Sequence, residues 1–281
     1  MEYLSPTSYQ CYLRDPKEFY IRYMASVKPP RPLQTPAMAI GSAFDAYIKS
    51  FLIKRLGLNG SSFEEIFESQ VEPQNRDECL VSGKYIFDEY IKSGALADLL
   101  LDLKDTSPHF EDCVQKTVWG VPLLGKPDIW FGNVVFDWKV NGYYSKSAPS
   151  PKPGYKMIYP TGKKHKDTLR FEDIDATWAT QLTFYAWILG LEEWMGAVHQ
   201  VVCKTTTGFP SLRFAQYYAA VGHDFETSLR SSVITLWDGI INGTLYTDEE
   251  IETYETLSQL NMEGLPDDIV ALLAEQERIR W

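Results

Sequence analysis

Cysteine is scarce and scattered in this chain: Cys11, Cys79, Cys113 and Cys203 form no C-x-x-C pair. That spacing excludes a zinc-ribbon site and a disulfide scaffold, and it fits a reducing compartment. Apolar runs of membrane-spanning length are missing. The opening residues MEYLSPTSYQ hold no basic stretch followed by an apolar one, so no secretory leader is expected. The expectation is a soluble cytoplasmic protein with no membrane partner. His109, His165, His199 and His223 have no metal-ligand spacing and read as structural. Ser5 and Ser8 read as helix caps rather than nucleophiles, since no Ser–His–Asp arrangement accompanies them.

Positive charge is also short overall. The formal net charge is −11 over 281 residues. Net charge governs solubility and long-range steering, whereas binding depends on where charge is concentrated. Here it is concentrated: between positions 146 and 170 stand Lys146, Lys152, Lys156, Lys163, Lys164, Lys166 and Arg170, opposed by Asp167 alone. The stretch YTDEEIETYE is strongly acidic by contrast. Apolar residues make up 44% and aromatics 14%, enough for a sizeable core. The length suits one domain over 1–281.

The hydrophobic pattern predicts helices first. SPTSYQCYLRDPKEFYIRYM reads as two short helices, or one broken near Pro16. VKPPRPLQTP is a connector, and AMAIGSAFDAYIKSFLIKRLG is helical with Ile40, Phe44, Ile48 and Phe51/Leu52 on one face. DECLVSGKYIFDEYIKSGALADLLLDL is a helix interrupted near Gly94. From His109 the period changes to that of strands: HFEDCVQKTVW, VPLLGKPDIWF and VVFDWKV form a three-strand meander. Residues 141–173 read as a long loop, of the kind that is commonly functional or disordered. DIDATWATQLTFYAWILGL is an amphipathic helix ending near Gly190. GAVHQVVCKTT and SLRFAQYYAAV are two further strands joined at Gly208-Phe209-Pro210. DFETSLRSSVITLWDGIING and DDIVALLAEQERIRW are terminal helices. No internal repeat or heptad run is evident. This order predicts an α/β fold with a mixed central sheet flanked by helices. Its parts are an N-terminal helical portion (1–105), a core (106–220) and C-terminal helices (221–281).

Chemistry concentrates in VPLLGKPDIWFGNVVFDWKV. Asp137 and Lys139 fall two residues apart on one strand and so share a face. A turn at Gly132-Asn133 folds the preceding run back and brings Asp128 towards them. Two carboxylates beside an ammonium are costly to assemble, and a hard divalent cation with a phosphate would account for them. In the following helix Gln181 and Tyr185 lie one turn apart on one face. A Gly41-x-x-x-Asp45 helix precedes the sheet.

Ser5-x-x-Ser8, the aromatic FYIRYM, Gly41-x-x-x-Asp45, Pro127-Asp128, Asp137-Trp138-Lys139 and Gln181-x-x-x-Tyr185 follow one another along the chain. In that order the chain resembles the PD-(D/E)xK nuclease superfamily, and specifically its RecB-like, phage-type exonuclease branch, from about Ser5 to Tyr218. The resemblance implies a restriction-endonuclease-like core and a Mg²⁺- or Mn²⁺-dependent deoxyribonuclease. It is most like an exonuclease acting in recombination, repair or phage DNA processing, in a bacterial or phage-infected cell. It gives Asp45, Asp128, Asp137 and the Trp138 backbone carbonyl to the metal. Lys139 would orient or deprotonate the attacking water and steady charge at the phosphate. Gln181 and Tyr185 would hold the phosphate and the lysine. The partner implied is DNA. A recombination or annealing protein and a homo-oligomeric ring are further partners known in the superfamily, although no interface signature is visible in this chain.

Two positions depart from the pattern. RecB-like members usually carry His where Asp45 stands, and a third carboxylate there would serve Mg²⁺ or Mn²⁺ equally well. No cysteine follows Cys203, so the iron–sulfur cluster of the CRISPR-associated members cannot form. Alternatives remain from the residues themselves. Asp137 and Lys139 could be an exposed strand face, Asp45 a solvated helix acid, and Tyr185 partly core. The basic segment is either a solvated loop or a DNA-contacting one, with Tyr143, Tyr144, Tyr155 and Tyr159 placed to stack on unpaired bases. Beside the exonuclease stand a nuclease-fold DNA-binding module without catalysis and a restriction-type endonuclease.

Overall fold

The computed structural model describes residues 1–110, 113–144, 150–165, 169–204 and 208–260. The expected terminal helix DDIVALLAEQERIRW lies outside them.

Pro6–Arg14 (α1) begins at a reciprocal cap in which Ser5 and Ser8 each accept from the other's backbone N–H, as the Ser-x-x-Ser spacing suggests. Asp15 closes it and caps Pro16–Phe19 (α2), so the break falls where Pro16 requires. One π-helical turn over Tyr20–Met24 follows. Pro36–Arg55 (α3) starts at Thr35 with Pro36 in its first turn, and buries Ile40, Phe44, Ile48 and Leu52. Phe63–Gln70 (α4) was not anticipated, although Ser62-x-x-Glu65 is a sequence-visible capping box. Arg76–Ser93 (α5) and Ala95–Leu103 (α6) are separated by Gly94, whose φ of 95° is left-handed.

Strands follow as His109–Phe110 (β1), Val114–Val118 (β2), Val121–Gly125 (β3), Ile129–Phe131 (β4) and Val134–Asn141 (β5). The predicted meander is corrected here. Each of its first two runs is split between two sheets. β2 and β3 form a separate antiparallel pair, and Lys126-Pro127-Asp128 carries the chain across to β4. Proline supplies no N–H to a ladder, which is a physical reason for the strand to end there. The Gly132-Asn133 turn does join β4 to β5 as an antiparallel hairpin.

Met157–Tyr159 (β6) lies inside the predicted loop and adds to the sheet edge. Phe171–Ile174 (α7) and Ala176–Leu189 (α8) lead to Met195–Lys204 (β7) and Ser211–Ala219 (β8). His223–Ile241 (α9) and Asp248–Leu260 (α10) complete the described chain, the latter falling in the acidic stretch that sequence reading left unassigned. The six-stranded sheet has the order β1-β4-β5-β7-β8-β6. It is mixed, because β5 and β7 are parallel and the other pairs antiparallel. The protein is therefore α/β, with a mixed sheet flanked by helices and an N-terminal helical part. No helix among the described residues is long and apolar enough to cross a membrane.

Alternation on β5 divides the core. Val134, Phe136 and Trp138 pack with α3 and α5, whereas Val135 packs with Leu182 and Tyr185 of α8. A third cluster joins Leu4, Phe19, Leu123, Phe184, Ile188 and Trp237. Helix α8 is thus covered by the sheet on one side and by α1, β3 and α9 on the other. This corrects the amphipathic reading: a helix apolar nearly all round belongs between layers. Gln181 is a polar exception within it, and it faces the site.

Candidate active site

β5 places Asp137 and Lys139 on its α8 face, as the two-residue spacing requires. Lys139 Nζ lies 2.5 Å from Asp137 Oδ2. It also donates to Gln181 Oε1 at 2.7 Å. The Gln181 amide nitrogen donates to Asp137 Oδ1 at 3.2 Å and to the Tyr185 hydroxyl at 2.9 Å. One amide therefore holds the lysine, the acid and the tyrosine together, and only one orientation of that amide satisfies all three. The frame behind it is firm. Asp175 caps α8 through the Thr177 and Trp178 N–H groups, and Gly190 ends the helix in the left-handed conformation. A Cβ on Gly125 would meet the Tyr185 ring at 2.8 Å, so glycine at the end of β3 is what lets that ring lie down.

Asp128 stands just before β4, across the hairpin from Asp137. Its Oδ2 accepts from the Trp138 backbone N–H at 2.9 Å. The β4–β5 ladder ends at Ile129↔Phe136, so beyond it Asp128 serves a strand amide that has no ladder partner on that flank. The N–H and C=O of a strand residue leave on the same flank. The Trp138 carbonyl is therefore directed to the Asp128 side of β5.

Asp45 approaches from α3. Gln70 of α4 donates to its Oδ2 at 3.0 Å. Sequence reasoning missed what stands between Asp45 and Asp128. Lys49 Nζ lies 2.6 Å from Asp45 Oδ2 and 2.9 Å from Asp128 Oδ1, and its side chain has 0% exposure. A fully buried lysine is rare unless paired. The available signal was positional: Lys49 is one helical turn after Asp45, beside the buried Ile48 and Leu52. Among the described residues no three Asp, Glu, His or Cys side chains converge as a ready-made cation cage.

Electrostatics follows from burial. Desolvation raises the Asp137 carboxyl to about 6, against the lowering pull of Lys139, with Asp128 adding to the rise. Burial and the nearby Asp137 charge push the Tyr185 phenol upward as well, so it stays protonated. Asp137 Oδ2 has no aligned hydrogen bond despite the close ammonium. Three carboxylates and a strand carbonyl are hard oxygen donors suited to Mg²⁺ or Mn²⁺. They fit such an ion in donor type, provided the Lys49 ammonium yields its place.

No family model matches this chain. No curated protein matches it significantly either. The assignment of chemistry therefore rests on the residues and their geometry.

The basic segment is not uniform. Lys146 and Lys166 lie outside the described residues. Lys152 is engaged by Asp175 at 2.9 Å and sits 6.0 Å from the Trp178 ring centre. Lys156, Lys163, Lys164 and Arg170 are exposed. Register aligns Lys139 with Gln200, Ala215 and Ile158 across β5, β7, β8 and β6. Three strand spacings separate the first from the last, roughly 14 Å. The stacking role expected of Tyr143 and Tyr155 is corrected. Tyr143 and Tyr155 are buried, so these two rings serve the fold, and the Tyr159 hydroxyl is held by Asp98. Tyr144 remains exposed, hydrogen-bonded to Glu78. His199 is structural: it is buried against the Tyr90 hydroxyl, and desolvation lowers it to about 3.

Proposed function

We propose that this chain is a Mg²⁺- or Mn²⁺-dependent deoxyribonuclease of the PD-(D/E)xK type, with a restriction-endonuclease-like core and an exonuclease's role in DNA processing. The observation that carries the reading is the closed network Lys139–Asp137–Gln181–Tyr185, with Asp128 brought beside it by the β4–β5 hairpin. Three separate segments, β5, α8 and the turn before β4, supply these groups. A packing explanation alone gives no reason to gather two acids and an ammonium at a partly open point of a sheet.

Asp45, Asp128, Asp137 and the Trp138 carbonyl would hold the metal. When bound, it supplies Lewis-acid polarisation of a phosphate and of water. The chain's own groups do the remaining work. Lys139, fixed by Gln181 Oε1 and Asp137, is the cation placed to orient water and to face charge developing on a phosphoryl oxygen. Gln181 sets its direction, and Tyr185, anchored beside Gly125, sets Gln181. Ile158, level with Lys139 across the sheet, is bridged by Lys163, and the exposed Lys156, Lys163 and Lys164 would neutralise backbone phosphates at a cost in salt sensitivity.

The test is digestion of linear and closed circular DNA in Mn²⁺, with Asp137→Ala and Lys139→Ala as controls. Cleavage of the linear form by the intact protein, lost by at least about 10²-fold in either variant, is the expected result. Absence of cleavage of any DNA form sinks the reading. Cutting of closed circles at fixed sites would replace the exonuclease by a restriction-type endonuclease.

One observation favours a second reading, a nuclease-fold DNA-binding module without catalysis. The Lys49 ammonium already stands between Asp45 and Asp128, paired with both. Tight DNA binding without Mn²⁺ uptake at the acids would identify it.

A further inference from the structure

Lys49 is assigned no role by the motif, yet it stands inside the site. Its side chain is fully buried and touches one carboxylate from α3 and one from the start of β4. Both are acids that a divalent ion would need. Burying an ammonium is costly unless its charge is met, and here two carboxylates meet it. Those same carboxylates are costly to bury together without a cation. Their assembly is thus a site for one cation, and the chain supplies its own.

We propose that Lys49 is an internal competitor for the metal: its ammonium and the divalent ion contend for Asp45 and Asp128, and metal binding displaces it. This rests on the metal-site reading above. The surroundings provide for displacement. A cavity of about 320 Å³ opens beside Lys49, lined by Ile53, Asn59, Ser61 and His109 among others. The lysine stem is flexible, and the cavity combines an apolar wall for its methylenes with polar groups for its head. Asp45 stays held by Gln70 when the ammonium leaves, so the acid does not have to be reorganised. A resident cation also keeps the acids folded together in the absence of metal, which a cluster of bare carboxylates would oppose.

The test reads metal directly. Mn²⁺ is titrated calorimetrically into the full chain, into Lys49→Met and into Lys49→Gln. The second variant keeps a hydrogen-bond donor for the acids should Lys49→Met fail to fold. Expected is a Mn²⁺ Kd at least about tenfold tighter than in the parent protein, with the gain removed by adding Asp128→Ala. An unchanged or weaker Kd overturns the proposal, as does a gain that survives Asp128→Ala. Failure of DNA cleavage with a tightened Kd would remove the nuclease reading and leave Lys49 as the competitor. Cleavage with an unchanged Kd would do the reverse.

Discussion

Replacing Gln181 by alanine removes the one group that touches three others in the site. Lys139 loses an acceptor at 2.7 Å, and Asp137 Oδ1 and the Tyr185 hydroxyl each lose a donor. Asp137 and Tyr185 are buried, so their polar atoms would be left without replacement partners. Each such atom costs about 1–3 kcal/mol. The losses do not add, because Lys139 keeps Asp137 and the position is only half-buried, which admits a water. Alanine also favours helix by a few tenths of a kcal/mol. The expected net loss is about 2 kcal/mol, or a fall of roughly 4–8 °C in Tm. Chemical denaturation followed by tryptophan fluorescence measures it. The sharper readout is a double-mutant cycle with Tyr185→Phe, which deletes only the hydroxyl. A coupling of about 1 kcal/mol is expected. Coupling indistinguishable from zero would refute the claim that Gln181 is held by Tyr185, and with it the chain of support reaching Lys139.

Two further outcomes follow from distances and burial. Burial pushes the folded Asp137 carboxyl up to about 6, above the ordinary carboxylate value of about 4. The folded state therefore takes up this proton more readily, so the group's contribution to stability declines as pH rises from about 4 to 6, and protons oppose metal below 6. Mn²⁺ affinity should weaken about tenfold per pH unit below that point and level off above it; an affinity independent of pH would contradict the assignment. Gly83 lies where α5 crosses α3, and an added Cβ would stand 2.6 Å from Ala43 Cβ and 2.9 Å from backbone atoms of Ala43 and Phe44. Gly83→Ala should cost about 1–3 kcal/mol by forcing apart the helix that carries Asp45 and Lys49. A urea midpoint unchanged within error would show that the helices yield freely.

Periodicity carried much of the architecture. The caps at Ser5 and Ser8, the break at Pro16, the interruption at Gly94 and the end at Gly190 are local chemistry, legible because a few adjacent residues decide them. The hairpin at Gly132-Asn133 is of the same kind, and it alone was enough to bring Asp128 to Asp137. The division of strands between two sheets was not legible. Val121–Gly125 and Ile129–Phe131 look alike in sequence, and their separation depends on β2 as the partner of one and β5 as the partner of the other. Likewise α8 looked amphipathic because its second covering layer comes from segments distant in the chain.

The sequence by itself determined which residue types share a face: Asp137 with Lys139 by a period of two, Gln181 with Tyr185 by a turn of helix. Tertiary structure decided what stands opposite each pair. It placed Gln181 on Lys139, sent Tyr143 and Tyr155 into the core, and set the Lys49 ammonium between Asp45 and Asp128. Periodicity fixes the direction of a side chain relative to its own backbone, whereas an ion pair between α3 and the start of β4 depends on how separate elements pack.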